Sequence, residues 1–234
     1  MDNLARPERD GNFGTKFTQE IQNNGSFSAV HPLEEFLAEC RDMNSLRSTG
    51  KIARAALIAD IAHFMCVSHG RHPGIVDHAA SKIVEDAARE WLVEAIDGFA
   101  AERSFLTKLT VAAGPMHSHN GQEKVSAVLA TQSNSFEMLA TSDRKGCAAG
   151  TAIAFILDWQ ATRPLIDGVA MLLGIEPTEC KLPDQVASEK LAAILAENDR
   201  IERAMRFGAD QVLSQQRGLW QIIAARHAEI RELG

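Results

Sequence analysis

Residues 56–78 read ALIADIAHFMCVSHGRHPGIVDH. Wound at 3.6 residues per turn, Leu57, Ile58, Ile61, Ala62, Phe64, Met65, Cys66 and Val67 cover nearly the whole circumference of a helix. Asp60 and His63, at i and i+3, are the exceptions. A helix that is apolar all round is buried, so this segment predicts the centre of a helical core. A second stretch, GCAAGTAIAFIL at 146–157, predicts the same, and its Gly146, Ala149, Gly150 and Ala154 would let a partner helix come close. From His31 onward the chain is rich in Ala and Leu at helical spacing, and no strand-like alternation appears. The expected fold is all-α, a single-domain bundle of seven or eight helices.

Working outward, proline and glycine mark the boundaries. In HPLEE and HPGIV a proline stands where a first helical residue has no use for its N–H, so helices are expected to start at Pro32 and Pro73. The resulting segments are 32–43, 50–68 and a long region 73–112, the last with a break near Asp97 and Gly98 and a stop at Gly114 and Pro115. Asn120 to Glu123 reads as a capping-box variant opening a helix that lasts to Ala140. Ser142 or Asp143 would cap the next one, kinked at Pro164 and ending near Leu173. Two helices close the chain, 184–206 and 209–231, or one helix bent at Gly208. Residues 1–30, with only isolated Phe13, Phe17 and Phe27 among Gly, Asn, Gln and Ser, predict an arm that is mobile or draped on the domain formed by 31–234.

Composition removes several function classes. There are 24 Lys plus Arg against 31 Asp plus Glu, a net charge of −7 with the basic residues scattered, so neither nucleic acid nor an anionic membrane surface is an expected partner. The longest uncharged helical run, 147–157, is short of the roughly 20 residues that cross a bilayer. The four cysteines, Cys40, Cys66, Cys147 and Cys180, are too far apart for a CxxC pair and read as reduced and structural. The first residues, MDNLARPERDGNFG, lack the apolar core of a secretion signal. The chain is expected in the cytoplasm. GxSxG, SxxK, the Walker loop and GxGxxG are absent, so no reaction and no cofactor is assigned.

Chemistry concentrates at 60–78, which holds four of the eight histidines and two aspartates. Asp60, His63, His69, His72, Asp77 and His78 suggest a metal site, because carboxylate and imidazole at i and i+3 on a buried helix supply iron or manganese in helical bundles. Such bundles supply two pairs and further glutamates, and only one pair stands here. The plainer reading is favoured: Asp60 and His63 satisfy each other, His69 and His72 fill or cap the turn, and His78 is exposed. If a metal is held, Asp60, His63 and His72 are its ligands. A metal-free ligand-binding role would use His63, His69, His72, Asp77 and Arg163. In an enzyme, His72 or His63 would move protons, Asp60 or Asp77 would orient it, and Arg163 would anchor an anion.

Other groups carry weaker signals. His117 and His119 sit in a loop that would complete a site only by folding over the bundle. Asp158, Arg163 and Asp167 lie in an apolar helix, where Arg163 either pairs with Asp167 at i+4 or faces a pocket, with Trp159 placed to cover its guanidinium. The apolar stripe of the last two helices, Ile194, Ile201, Met205, Leu213, Trp220, Ile223, His227 and Ile230, can cover its own domain or a second subunit, so a homodimer is one expectation.

The segments HGRHPGIVDHA, FAAERSFLTKLTVAAGP, EMLATSDRKGCAAG and DWQATRPLID resemble a bacterial family of unknown function with helical members of similar length. That resemblance implies no activity and no functional residue. At the level of fold, helices around two apolar central ones resemble haem-oxygenase-like and ferritin-like bundles. Three functions remain open: a protein binding a small molecule or partner near the histidine turn, a His/carboxylate metal enzyme of the oxygenase-like type, and a structural protein with no site. Convergence of His63, His69, His72 and Asp77 on one cavity favours the first.

Overall fold

The computed structural model describes residues 10–39, 48–116 and 122–232. Among these there are nine α-helices and no strand: α1 (Asp10–Asn24), α2 (Phe27–Glu39), α3 (Ser48–His69), α4 (Ile75–Ala80), α5 (Arg89–Ala113), α6 (Gln122–Ala140), α7 (Cys147–Leu172), α8 (Gln185–Leu195) and α9 (Asp199–Glu232), with a 3-10 turn at Asp86–Ala88 before α5. The all-α multi-helix bundle is as expected.

The two apolar helices are central. From Cys147 to Trp159 every residue of α7 is buried, and α1, α2, α4, α6, α8 and α9 all pack on it. Its small residues do what their spacing predicts against α9. A Cβ on Gly150 would lie 2.0 Å from the Met205 carbonyl oxygen, and one on Gly208 would lie 2.3 Å from that of Cys147. The two backbones therefore touch only because both positions are glycine. Helix α3 lies among α5, α6, α7 and α9. Its Gly50–His69 segment is long and apolar enough by composition to cross a membrane, but 72% of that window is buried inside the protein, as in a soluble core helix.

Several boundaries differ from expectation. Residues 10–24 form a helix whose Phe13, Phe17 and Ile21 are buried and which packs mainly on α8. Helix α2 begins at Phe27, placing Pro32 inside it. Its start is set by Ser26, whose N–H and hydroxyl donate to the Asp158 carboxylate at 2.5 and 2.7 Å. Pro73 opens no long helix, because α4 starts two residues later and ends at Ala80. Asp97 and Gly98 lie inside an unbroken α5, where Gly98 admits the 181–182 backbone: a Cβ there would lie 2.0 Å from the Lys181 carbonyl oxygen. Helix α7 is capped at Gly146 rather than Ser142 or Asp143 and continues through Pro164. The closing helices part before Asp199, where the Asn198 side chain accepts the N–H groups of Arg200 and Ile201 at 3.1 and 3.2 Å, and Gly208 is mid-helix. Of the closing stripe, Ile201, Met205, Leu213, Trp220, Ile223 and His227 are buried within this chain, while Ile194 is exposed. Cys40, His117, His119 and the expected cap at 120–121 lie outside the described residues.

Candidate small-molecule pocket at the histidine turn

The turn from α3 to α4 is built around one carboxylate. Helix α3 ends at His69, and the Gly70 N–H donates to the Cys66 carbonyl at 2.8 Å. On the far side, Asp77 Oδ2 accepts the Gly74 N–H at 2.8 Å and Arg103 Nη1 at 2.9 Å, and lies 3.4 Å from His72 Nδ1. The side chains of Asp77 and Arg103 are 9% and 11% exposed, so their contact is well shielded from water, whereas His72 is open to it. Arg103 reaches from α5, its Cζ 5.6 Å from the centroid of Phe99, and so ties the turn to the wall of the hollow beside it.

That hollow has a volume of about 260 Å³. Its floor and walls are the buried Ser68, His69, Ile75, Phe99, Phe136 and Phe155, and its rim is the exposed Arg71, His72, Pro73, Asn134 and Glu137 with the half-buried His78. His69 is 4% exposed and sits in an aromatic cage, its ring centroid 5.5 Å from Phe136, 5.3 Å from Phe155 and 5.6 Å from Trp159. Burial lowers its pKa to about 4, weakly opposed by the Gln216 side chain, so the imidazole is neutral at pH 7. Its Nε2 and Ser68 Oγ are closed to solvent and make no hydrogen bond of ordinary geometry, although the Gln216 side chain lies beside the ring. Gln132 donates from its side-chain nitrogen to the Gln215 carbonyl, yet its Oε1 and that of Gln216 are also buried without partners. Buried polar atoms left unpaired cost about 1–3 kcal/mol each.

Behind the cage, Glu102 is 1% exposed and its Oε2 accepts both Trp159 Nε1 at 2.9 Å and Arg163 Nε at 2.6 Å. Arg163 also donates through Nη1 to Asp167 and through Nη2 to the Thr178 carbonyl at 3.0 Å, and its Cζ stacks 4.3 Å from the Phe105 centroid. The expected pairing with Asp167 is present, but Phe105 rather than Trp159 covers the guanidinium. With its donors engaged on all three nitrogens, Arg163 is structural and does not line the pocket. Asp158 points elsewhere, to Ser26 at the start of α2. The nearby Cys180 thiol is pushed up to about 12 by burial and by the Glu102 charge, so it is unreactive.

The turn brings together His69, His72 and His78 at the pocket, with Asp77 behind His72. His63 is not among them: its Nε2 hydrogen-bonds the Gly114 carbonyl at 2.7 Å. Asp60 does not meet His63 but pairs with Arg226 at 2.8 and 3.2 Å. Asp60, His63 and His72 are thus held by three different partners. Among the described residues no group of three His, Cys, Asp or Glu side chains can hold a metal ion. Sequence reasoning missed Phe99, Phe136 and Phe155 as walls and Glu102 as the buried acid. The one available signal for Glu102 was its register between Phe99, Phe105 and Leu106 on the apolar face of α5.

Two other hollows lack this chemistry. One of about 300 Å³, lined by Lys82, Glu85, Asp143 and Lys145, has those charges already paired with each other and with Glu197. The other, about 420 Å³ beside Leu37, Pro164, Leu165 and Met171, is an apolar groove with Glu34 its only ionisable lining group. A family model described as a family of unknown function (DUF6975) matches residues 37–232. No curated protein and no solved structure matches the chain, so the likeness to haem-oxygenase-like and ferritin-like bundles has no structural neighbour behind it.

Proposed function

The chain belongs to a family of unknown function, DUF6975, which brings no activity with it, and we propose from the geometry of the site that it binds a small molecule in the pocket at the histidine turn. The observation that carries this is the hollow of about 260 Å³ itself, in which the turn sets Arg71, His72 and His78 around the mouth above the aromatic cage of the buried His69. Polar groups converging at the mouth over an apolar base are a common make-up of a ligand site. A purely structural cavity in such a cage would gain stability from an apolar residue in place of His69. The binding site lies in the cytoplasm on this reading, which the free thiols of Cys66, Cys147 and Cys180 support.

The test is a thermal-shift screen of small polar and aromatic metabolites on the parent and on Ser68→Leu, which fills the hollow from its floor. Compounds that raise the melting temperature of the parent and leave Ser68→Leu unmoved are expected. A screen with no such compound, or with equal shifts in both proteins, would sink the reading.

A second reading adds turnover, and a specific observation favours it. His72 stands on the rim, its side chain 70% exposed, with Nδ1 3.4 Å from the buried Asp77 carboxylate, which sets an acid beside an open imidazole. Under this reading a compound identified by the screen is chemically changed on incubation with the parent and unchanged with His72→Gln, while still binding both. Asp77→Asn would reduce the rate and shift its pH profile, since Asp77 positions His72 without touching the ligand.

A further inference from the structure

Resting on the hollow being a ligand site, we propose that its ligand is a small zwitterion of amino-acid size. Its carboxylate is held at the mouth by Arg71 and His72, and its ammonium group is held opposite by Glu137.

Charge placement gives the first constraint. The hollow lies between the α3–α4 turn and one face of α6. Apart from the buried His69, its ionisable lining is Arg71, His72 and His78 on the side of the turn and Glu137 on the side of α6. Arg71 and Glu137 are exposed, and neither makes an ion pair with the other or with any described residue. Asp77, which does not line the hollow, is matched behind the turn by Arg103 at 2.9 Å. An anion alone would face the uncompensated Glu137, and a cation alone would face Arg71. A molecule that carries both charges meets its opposite on each wall.

Hydrogen bonding gives the second. On α6, Ser133 and Glu137 stand at i and i+4 with Asn134 beside Ser133, so these residues share the face that borders the hollow. An ammonium group donates three hydrogen bonds, and this face offers a carboxylate, a hydroxyl and an amide oxygen to accept them. Across the mouth, Arg71 presents a planar fork that donates to both oxygens of a carboxylate. His72 has Nδ1 3.4 Å from the Asp77 carboxylate, so Nε2 of this open ring is the nitrogen left for a ligand. Size gives the third. At about 260 Å³ the hollow falls below the roughly 300–1,000 Å³ of drug-sized sites, which suits a molecule of a few carbons. Such a molecule sits between the exposed groups of the mouth and leaves the closed base at Ser68 and His69 untouched.

The experiment uses the full chain near neutral pH and four probes. Two are zwitterions, glycine and γ-aminobutyrate, which carry the opposite charges at short and long separation, and two are single ions, butyrate and butylammonium. Each is titrated while the Arg71 Nε–H and the Asn134 side-chain amide are followed by NMR. At least one zwitterion is expected to bind about fivefold tighter than either single ion, the most that one partly exposed ion pair supplies. Arg71→Gln should bring that zwitterion down to the affinity of butylammonium, and Glu137→Gln to that of butyrate. Both side chains are exposed, so neither change disturbs the core. A single ion that binds as tightly as both zwitterions, or a variant that leaves zwitterion binding unchanged, would overturn the assignment. So would four probes that leave both signals unmoved. The pocket reading falls separately, by the compound screen with Ser68→Leu, whose hits need carry neither charge.

Discussion

Glu102 shows what a buried charge requires of its neighbours. One carboxylate oxygen takes a neutral donor, Trp159 Nε1, and a charged one, Arg163 Nε, while Arg163 is further held by Asp167 and Thr178. Removing the carboxylate strands a guanidinium 4% exposed in the core, so Glu102→Ala should lose about 3–5 kcal/mol of unfolding free energy. Urea unfolding followed at Trp159 measures it, and a loss under 1 kcal/mol would mean that Asp167 alone neutralises Arg163. This arrangement also marks a limit of reading residues from sequence. Arg163 and Asp167 at i and i+4 are legible because helical geometry fixes their distance. Asp60 with Arg226, 166 positions apart, is not, and the local rule joins Asp60 to His63 instead. The histidines divide in the same way. Of the three histidines read as one ligand set, His69 and His72 lie at the turn that makes the pocket, whereas His63, one helical turn and a half earlier, faces the Gly114 carbonyl. Arg163 does not line the pocket, and two of its partners, Glu102 on α5 and Thr178 in the loop after α7, are ones that no local pattern reveals.

At the scale of the element, small residues proved more readable than boundaries. Gly146, Ala149, Gly150 and Ala154 predict a close helix partner from composition alone, and α9 is that partner. Gly150→Ala should therefore push the helices apart: with the Met205 carbonyl oxygen 2.0 Å from the new methyl carbon, a loss of about 1–3 kcal/mol is expected from overpacking. The same substitution at Gly218, where a Cβ meets nothing within 4 Å, should be neutral or stabilising. Equal melting temperatures for the two variants would contradict the contact. The missed helix α1 has a physical reason. Phe13, Phe17 and Ile21 stand at i, i+4 and i+8 and form a single narrow stripe, too little to identify a helix by itself, and its stability comes from docking on α8 and α7. Phe17 is 1% exposed, so Phe17→Ala should cost about 3–5 kcal/mol. A mobile arm would make it silent. Chemical denaturation of that one variant separates the two views.

For the whole molecule, the two buried neutral histidines make stability depend on pH in a predictable direction. His69 and His227 both have pKa values lowered to about 4, in each case first by burial and, for His227, next by the Arg231 charge against a smaller opposing effect of Asp60. In the unfolded chain both return to about 6.5. A group whose folded pKa is depressed contributes its stability in full above the unfolded value and loses it as pH falls towards the folded one, so the window here runs from about pH 6.5 down to about 4. With His69 fully enclosed, its share is about 2 kcal/mol lost by pH 5 and about 3 by pH 4. His227, 5% exposed, with both nitrogens unpartnered and its ring 4.2 Å from Phe36, acts in the same sense. Asp158, whose pKa is raised by burial, works the other way only as carboxylates begin to protonate. The melting temperature should hold level from pH 8 to 7 and fall steadily below 6.5. His69→Phe should remove the His69 part of that fall and leave the His227 part.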